Sequence, residues 1–556
     1  MKKLSSSLIA ACLLVAACSD GHSSHNNNSG AADRITLDQA WLIGTHNSYW
    51  VDRNVPLDFF ASGVQENLID QLLADHARAI ELDIHPDHDT PHRYRVFHTE
   101  PGNSLCDDFV DCLRPLRLLQ YALPDHELIH VIIELKEFTG PNFDSDHTVE
   151  DFESILESEI GEWMIRPGDI LERCGAREDD PEPAFLDCLA EGGWPTLAEG
   201  RGKFMVSVLS NFDDLAPAKG TLDWATYALH GSLFDRSAFS MASSWKLDWD
   251  TLPEKIQQDL SREDLERARR RAAFLQVEDV ADPNLAPFLA ANGLVRIDGA
   301  FSLDEQRGRV ALGAQILQSD TPWVQIDDRG AGQPLRSLET PSDEIVEPGD
   351  HFALETSGGS ADSFAWREVT RSSSARWETL ASVGGESDAV PCLAAATSPE
   401  GSAISSVALC RTKLRADRNP NLPLGSGDPD AEKIRLRQRV CRDGQCEWSD
   451  VGPGEGEAPA EGAATVAEIE VGAALALEIE AEGNGSCARA FVATDLAADG
   501  SPEWTPLGTP TCFASPLVAQ GLLATGGQAG ESAWFIGTRL WIGGRPAAVQ
   551  PLTTAQ

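Results

Sequence analysis

A chain of 556 residues is too long for one ordinary hydrophobic core, so two or three domains are expected. Its 88 acidic and 44 basic residues leave a formal charge of −44. That balance excludes a nucleic-acid binder that works by neutralising phosphates, and it opposes adhesion to anionic lipid by charge alone.

Lys2 and Lys3 precede an apolar run from Leu8 to Ala17 that is too short to span a bilayer. The run ends in Leu14-Val15-Ala16-Ala17-Cys18, small residues followed by a cysteine. This suits a bacterial lipoprotein signal peptide over 1–18 with Cys18 as the lipidation site; a plain secretory signal with an incidental cysteine is the competing interpretation. Residues 19–33, rich in Ser, His, Asn and Gly, have nothing to bury and are expected to form a flexible tether. The protein is then expected to be exported and lipid-anchored to the bacterial cell envelope, at the outer membrane, or extracellular. The cysteines fit that compartment. Beyond Cys12 and Cys18 they fall into near-neighbour couples (106/112, 174/188, 392/410, 441/446, 487/512), for which sequential pairing is the economical expectation.

From 34 to 332, short apolar segments alternate with helical stretches. Candidate strands are Trp41–Thr45, Ala79–Ile84, Tyr94–His98, Ile129–Leu135, Phe204–Leu209, Ala273–Val277, Leu294–Ile297 and Gln315–Leu317. Helical pattern marks Leu57–Asp75, Val149–Glu159 and Arg262–Arg271. Alternation of this kind predicts parallel strands, and the strand count suits an α/β fold of the TIM-like (β/α)8 barrel type. Beyond Asp328 helical periodicity gives way to short strands and Gly/Ser/Pro/Asp turns. A C-terminal all-β region is expected there, as two β-domains at 340–450 and 465–556 joined by a Gly/Glu/Pro/Ala linker at 452–464. If those domains fold apart from the barrel, a chain ending near Asp328 keeps its activity.

The polar residues at the strand ends carry the chemistry. Glu81-Leu82-Asp83 places two carboxylates on one strand face, and Glu134 and Lys136 share a face on a later strand. Gly44-Thr45-His46-Asn47-Ser48-Tyr49 and Phe97-His98 follow two further candidate strands. Each group lies near a strand's C-terminal end, where barrel active sites are built. Adjacent acids pointing inward are costly without a cation. Asn47, Glu81, Asp83 and Glu134 offer only oxygen ligands, which suits Ca²⁺. His46 and His98 supply a general base and a general acid. Lys136, Lys203 and Arg296 are the candidates for holding a phosphate. His85, His88 and His92 could form a transition-metal site, but a solvated loop is the expectation for them. Trp224, Phe234, Phe239 and Trp245 could form a lipid-facing lid, with packing under a helix preferred. Trp366 and Trp448 could stack on carbohydrate, with core packing the default.

Taken in order, Thr45-His46-Asn47-Ser48-Tyr49, Glu81-Leu82-Asp83, Phe97-His98, the Cys112–Pro124 helix leading to Ile132–Lys136, and Gly192-Gly193-Trp194-Pro195 followed by Gly202-Lys203-Phe204 resemble the calcium-dependent phosphatidylinositol phospholipase C family. The resemblance covers about 34–328 and is weaker beyond Leu209. It implies His46 and His98 as the catalytic pair and Asn47, Glu81, Asp83 and Glu134 as Ca²⁺ ligands. It also implies internal attack of the inositol 2-hydroxyl on the phosphodiester, releasing diacylglycerol and a cyclic inositol phosphate. A glycerophosphodiester phosphodiesterase on the same barrel is one alternative, although its first motif is usually of HRG type and His46-Asn47-Ser48 differs. A non-catalytic surface-binding lipoprotein, with β-domains that bind surface or carbohydrate ligands, is the other.

Overall fold

The computed structural model describes residues 35–50, 67–73, 77–99, 101–102, 104–136, 140–177, 185–210, 217–243, 249–251, 254–277, 288–289, 293–297, 308–309, 313–319, 336–337, 350–355, 363–368, 374–383, 390–397, 406–411, 434–442, 445–450, 473–498, 500–525, 532–542, 545–547 and 553–555. The expected signal peptide with Cys18, the tether, Trp245, the linker at 452–464 and most of the expected helix Leu57–Asp75 lie outside them. Among the described residues no helix is long and apolar enough to cross a membrane.

In chain order the first strands are β1 (Ala40–Thr45), β2 (Ala79–Pro86), β3 (Tyr94–Val96), β4 (Ile129–Leu135), β5 (Met164–Ile165), β6 (Phe204–Ser210), β7 (Phe239–Ser243), β8 (Ala272–Val277), β9 (Leu294–Ile297), β10 (Ile316–Ser319) and β11 (Arg336–Ser337). Eight of them, β1-β2-β4-β6-β7-β8-β9-β10, run parallel and close on themselves, because β1 pairs with both β10 and β2. Two expectations are corrected. Tyr94–His98 is not a barrel strand: β3 runs antiparallel to the C-terminal end of β2, opposite Ile84–Pro86. The eighth member is β7, which the sequence pattern does not single out.

Closure depends on Gly44. It faces Ala79 across the β1–β2 seam, and a Cβ on it would lie 2.6 Å from Ala79 Cβ and 2.7 Å from Ala79 O. On the outer face Ile80, Leu82, Ile84, Val131, Ile133, Val206 and Val208 pack against Phe109, Leu113, Leu116 and Phe152. Those last residues come from helices Phe109–Ala122 and Val149–Glu159. The first helix starts where the Asp108 side chain accepts the Val110 N–H, the second at a reciprocal Thr148–Asp151 cap. Trp224 and Phe239 are buried in the other barrel core, so the packing alternative holds for them.

His130 lies buried on β4, its Nε2 2.8 Å from Ser207 Oγ and its ring stacked on Phe274. Burial first, and the Arg296 charge second, lower its pKa to about 3. Between that value and the ordinary histidine value, the unfolded chain holds a proton that the folded chain lacks, so stability falls as pH falls through this window. His130→Gln removes that component. In urea unfolding between about pH 6 and pH 4, the wild type should lose up to about 1.4 kcal/mol per pH unit more than the variant. Identical pH slopes would show that His130 is not held neutral.

The C-terminal strands form two antiparallel sheets. Their ranges are β12 (Asp350–Glu355), β13 (Ser363–Glu368), β14 (Ala375–Val383), β15 (Val390–Ala396), β16 (Ser406–Arg411), β17 (Ile434–Arg442), β18 (Gln445–Asp450), β19 (Ala474–Glu482), β20 (Gly485–Ala493), β21 (Thr505–Phe513), β22 (Ala519–Thr525), β23 (Ser532–Ile542), β24 (Arg545–Ala547) and β25 (Thr553–Ala555). One sheet runs β12-β23-β14-β19-β20-β21 with β24 on β23, the other β18-β17-β16-β15-β22-β13-β25. Trp377, Leu475, Leu477 and Phe535 of the first meet Leu393, Leu409 and Leu522 of the second in one core. The expected division into 340–450 and 465–556 is therefore not a boundary between sheets: β14 pairs with β19 and β23, and β15 with β22.

Disulfides join Cys106–Cys112, Cys174–Cys188, Cys392–Cys410 and Cys487–Cys512, the sequential pairing expected. Cys441 stands opposite Cys446 across β17 and β18, but the side chains of that couple, like those of Trp366 and Trp448, lie outside the described set.

The sandwich docks on the barrel's outer helices. Leu380 and Ile536 join the barrel core, and Leu118 packs against Ala474, Ala493 and Leu496. Arg539 covers the Tyr121 ring and donates to Tyr121 O at 2.9 Å. Gly537, at φ 59°, lies so close that a Cβ would come within 2.4 Å of Ala122 O.

Candidate active and metal site

The cluster sits at the C-terminal mouth of β1, β2 and β4. Register places Asp83 beside Glu134 across β2 and β4. Oxygen atoms of Glu81, Asp83 and Glu134 all lie within 4.8 Å of one another. Glu81 and Asp83 are fully buried.

Two cations already meet these acids. Arg296 Nη2 is 2.6 Å from Glu81 Oε1, and its Nη1 donates to Gln276 Oε1 at 3.0 Å. Lys136 Nζ lies 2.6 Å from Asp83 Oδ2 and 3.8 Å from Glu134 Oε1. Arg296 and Lys136, expected as phosphate holders, are thus counter-ions of the acidic cluster. Lys203 does not join it. It precedes β6, at the opposite end of the barrel, where its carbonyl accepts the Ile129 N–H.

The loop after β1 brings His46 and Asn47 to the acids. Asn47 takes the left-handed conformation, φ 48°, which Asn tolerates better than most residues. Its N–H donates to Glu81 Oε2 at 3.1 Å. Its Oδ1 accepts from Tyr49 OH at 3.0 Å, which turns Nδ2 toward His46 Nδ1, 3.5 Å away. His46 Nε2 is 3.7 Å from Glu81 Oε2, and its side chain keeps 24% of its surface exposed. The imidazole is therefore oriented from both sides yet open to solvent.

His98 arrives from the segment after β3. Phe97 N donates to Asp83 O, and Leu105 N to Tyr49 O, which binds this segment to the β1 loop. The His98 ring meets the edge of Trp50, with centroids 6.1 Å apart. His85 is not part of a solvated loop. It is buried, stacked on Phe97, with Nε2 3.0 Å from Phe97 O and 3.2 Å from His98 O. It pins the backbone that carries His98. His88 and His92 are exposed, as expected, and His92 Nδ1 pairs with Asp151 at 3.0 Å.

The electrostatics are uneven across the acids. Burial alone would raise Glu81, but Arg296, His46, Lys136 and the Asn47 amide together hold it below the usual carboxylate range. Glu134 is pushed up, by burial first and by Asp83 and Glu81 besides, against the pull of Lys136. Burial and then Asp83 keep Tyr49 a phenol, a permanent donor to Asn47.

These residues fit a hard divalent cation. Asp83 is fully buried, and the Lys136 ammonium, 2.6 Å from Oδ2, is the cation beside it. With all three acids ionised, Lys136 and Arg296 leave one surplus negative charge. Three carboxylates within reach of one another are oxygen donors that suit a hard ion such as Ca²⁺ better than a softer metal. A second candidate group, Glu482 with Cys487 and Cys512, is excluded because those sulfurs are joined to each other.

Motif spacing does not assign roles to Tyr49, Gln71, Gln276 or His85. Tyr49 stands within the first motif and was open to notice there; Gln71 and Gln276 carry no local signal.

No protein-family model matches the chain, and no curated protein matches it. Solved structures similar to it include a calcium-dependent phosphoinositol-specific phospholipase C from a Gram-negative Pseudomonas species, 16% identical, TM-score 0.40, over 55% of this chain and 96% of that one. A Ca²⁺-dependent phosphatidylinositol-specific phospholipase C from Streptomyces antibioticus is 19% identical, TM-score 0.38, over 52% and 97%. A glycerophosphoryl diester phosphodiesterase from Agrobacterium tumefaciens is 13% identical, TM-score 0.25, over 51% and 94%. At these scores the likeness by itself decides nothing about chemistry. The first two carry the name of the family that the sequence motifs resemble.

Proposed function

We propose that this chain is a calcium-dependent phosphodiesterase that cleaves phosphatidylinositol-type lipids to diacylglycerol and a cyclic inositol phosphate. The observation that carries it is the mouth of the barrel, where His46 is oriented by Asn47 and Glu81 at the rim of a three-carboxylate cluster. Asn47, Glu81, Asp83 and Glu134 would hold the ion. Bound Ca²⁺ supplies a lowered pKa for a hydroxyl and offsets phosphate charge. His46, solvent-facing and neighbour to an ionised Glu81, would take the proton of the attacking 2-hydroxyl. His98, its ring against Trp50, would return a proton to the leaving alkoxide. The 2-hydroxyl lies beside the phosphodiester in the substrate itself, so proximity supplies much of the rate.

The test is turnover of phosphatidylinositol, phosphatidylcholine and glycerophosphoinositol, each with Ca²⁺ and with chelator. Phosphatidylinositol should be cleaved, and chelator should abolish turnover. Turnover that survives chelation sinks the calcium reading. The net charge of −44 favours a second reading, a glycerophosphodiesterase on soluble substrates, because a bilayer of anionic lipid repels so acidic a protein. Cleavage of glycerophosphoinositol alone would select it.

The proposal includes export and anchoring through Cys18. Cys18→Ser should release the protein from the membrane fraction or block its processing. Unchanged fractionation of correctly processed protein counts against a lipid anchor.

A further inference from the structure

The sandwich reaches the loop that carries His46 through a chain of buried polar contacts. Asp70, in the helix Leu68–Leu73, is fully buried. Arg411 of β16 grips it with two prongs, Nη1 2.9 Å from Oδ1 and Nη2 2.5 Å from Oδ2. Ser382 of β14 donates to Oδ1 at 2.8 Å. The next residue, Gln71, turns to the barrel. Its Nε2 donates to Ser48 O at 2.7 Å and its Oε1 accepts from Thr45 Oγ1 at 2.7 Å. Ser48 Oγ in turn accepts the Glu81 N–H at 2.8 Å. Thr45 and Ser48 bracket His46 and Asn47.

Two features separate this from ordinary interface packing. A helix of six residues has too few internal bonds to hold its own orientation, so external contacts set it. Arg411 and Ser382 belong to opposite sheets, so both reach Asp70 only from an assembled sandwich. A buried ion pair is also a weak source of stability for its cost, whereas it fixes geometry well.

We propose that Arg411 and Asp70 are positioning residues: through Gln71 the sandwich holds loop 45–49 in the geometry that turnover requires. The inference rests on the phosphodiesterase reading above, and it replaces the expectation that the barrel acts alone.

The experiment uses full-length protein with glycerophosphoinositol or phosphatidylinositol, whichever the wild type cleaves. The variants are Arg411→Gln, Arg411→Lys, Gln71→Met, the Gln71→Met/Arg411→Gln double, and Arg117→Gln. Arg117 binds Asp495 at the same interface, remote from the loop. Rates are normalised to folded protein below the melting transition. Arg411→Gln should lower kcat roughly 10- to 100-fold with KM little changed, as expected for a small misplacement of reacting groups. Arg411→Lys should recover part of that loss. The double variant should be no slower than the slower single variant, since both cut one chain. Arg117→Gln should melt lower yet keep wild-type kcat. The inference is overturned by wild-type kcat in folded Arg411→Gln, by losses that multiply in the double variant, or by an equal kcat loss in Arg117→Gln. If Arg411→Gln does not fold, wild-type kcat in both Arg411→Lys and Gln71→Met overturns it. A wild type that cleaves neither substrate sinks the phosphodiesterase reading and this inference with it.

Discussion

His46→Ala is expected to lower turnover by roughly 10²- to 10⁴-fold, the usual contribution of a positioned acid–base group, while Ca²⁺ still raises the melting temperature almost as in the parent. The separation follows from the geometry. The imidazole faces Glu81 Oε2 at 3.7 Å from the solvent side, and the three carboxylates that would hold the ion come from β2 and β4. An imidazole is a poor ligand for so hard an ion, so its loss leaves the site's oxygen atoms in place. Asp83→Asn should behave oppositely, weakening Ca²⁺ binding and activity together, with partial rescue at high Ca²⁺. A Ca²⁺ ion held by these carboxylates would bind only the folded chain, so its removal should lower the parent's melting temperature. Melting with and without Ca²⁺, paired with turnover, checks all three proteins. A His46→Ala variant that loses its Ca²⁺-dependent stabilisation would make His46 part of the metal site and remove the reason for assigning it the proton.

Arg296→Met is expected to be the most destabilising single change in the barrel, by about 3–5 kcal/mol, because it strands a buried carboxylate. Glu81 is fully buried, and Arg296 stands first among the charges that hold it ionised. Saturating Ca²⁺ should return part of the loss, since a divalent ion beside Glu81 restores positive charge. The double variant Arg296→Met/Glu81→Gln should be more stable than Arg296→Met alone, although inactive. Urea unfolding in Ca²⁺ and in chelator measures this. Equal stability of Arg296→Met and the parent in chelator would show that the pair does not hold the charge.

The motif residues were legible because their chemistry is local. Glu81 and Asp83 share a strand face by simple alternation, and His46, Asn47 and His98 fall where parallel strands end. Their environment was not legible. Lys136 and Arg296 are cations of the right kind in the right barrel, yet only the closed sheet shows that each is already matched to an acid. The barrel was recovered with one strand exchanged for another. Tyr94–His98 has the β-branched and aromatic character of a strand, and it is one, but on the wrong edge. Phe239–Ser243, with Ser or Ala at three of five positions, lacks the apolar run of its neighbours, and its aromatic first residue suits packing under a helix as well as a strand. In the sandwich, β17 and β18 form a hairpin whose turn is local, whereas β13 pairs with the distant β22 and β25. Pairing across more than a hundred residues, as in β14 with β23, leaves no trace in spacing.

The interleaved sandwich has a consequence for biosynthesis. β12 finds its partner only when β23 has been made, and β13 is flanked by β22 and by β25 at Thr553–Ala555. The first sheet therefore waits for residues 532–542 and the second for residues 553–555. Contacts so distant in sequence are slow to form, and unpaired strand edges are open to association with other chains meanwhile. The cysteine couples follow the opposite logic, with sequence separations of 6, 14, 18 and 25. Each can close as soon as its own segment reaches an oxidising compartment, so cross-links within the sandwich can precede the sheets that later contain them. Cleavage of the chain between β23 and β25 would bare the edge of β13 and turn a finished sheet into a template for aggregation.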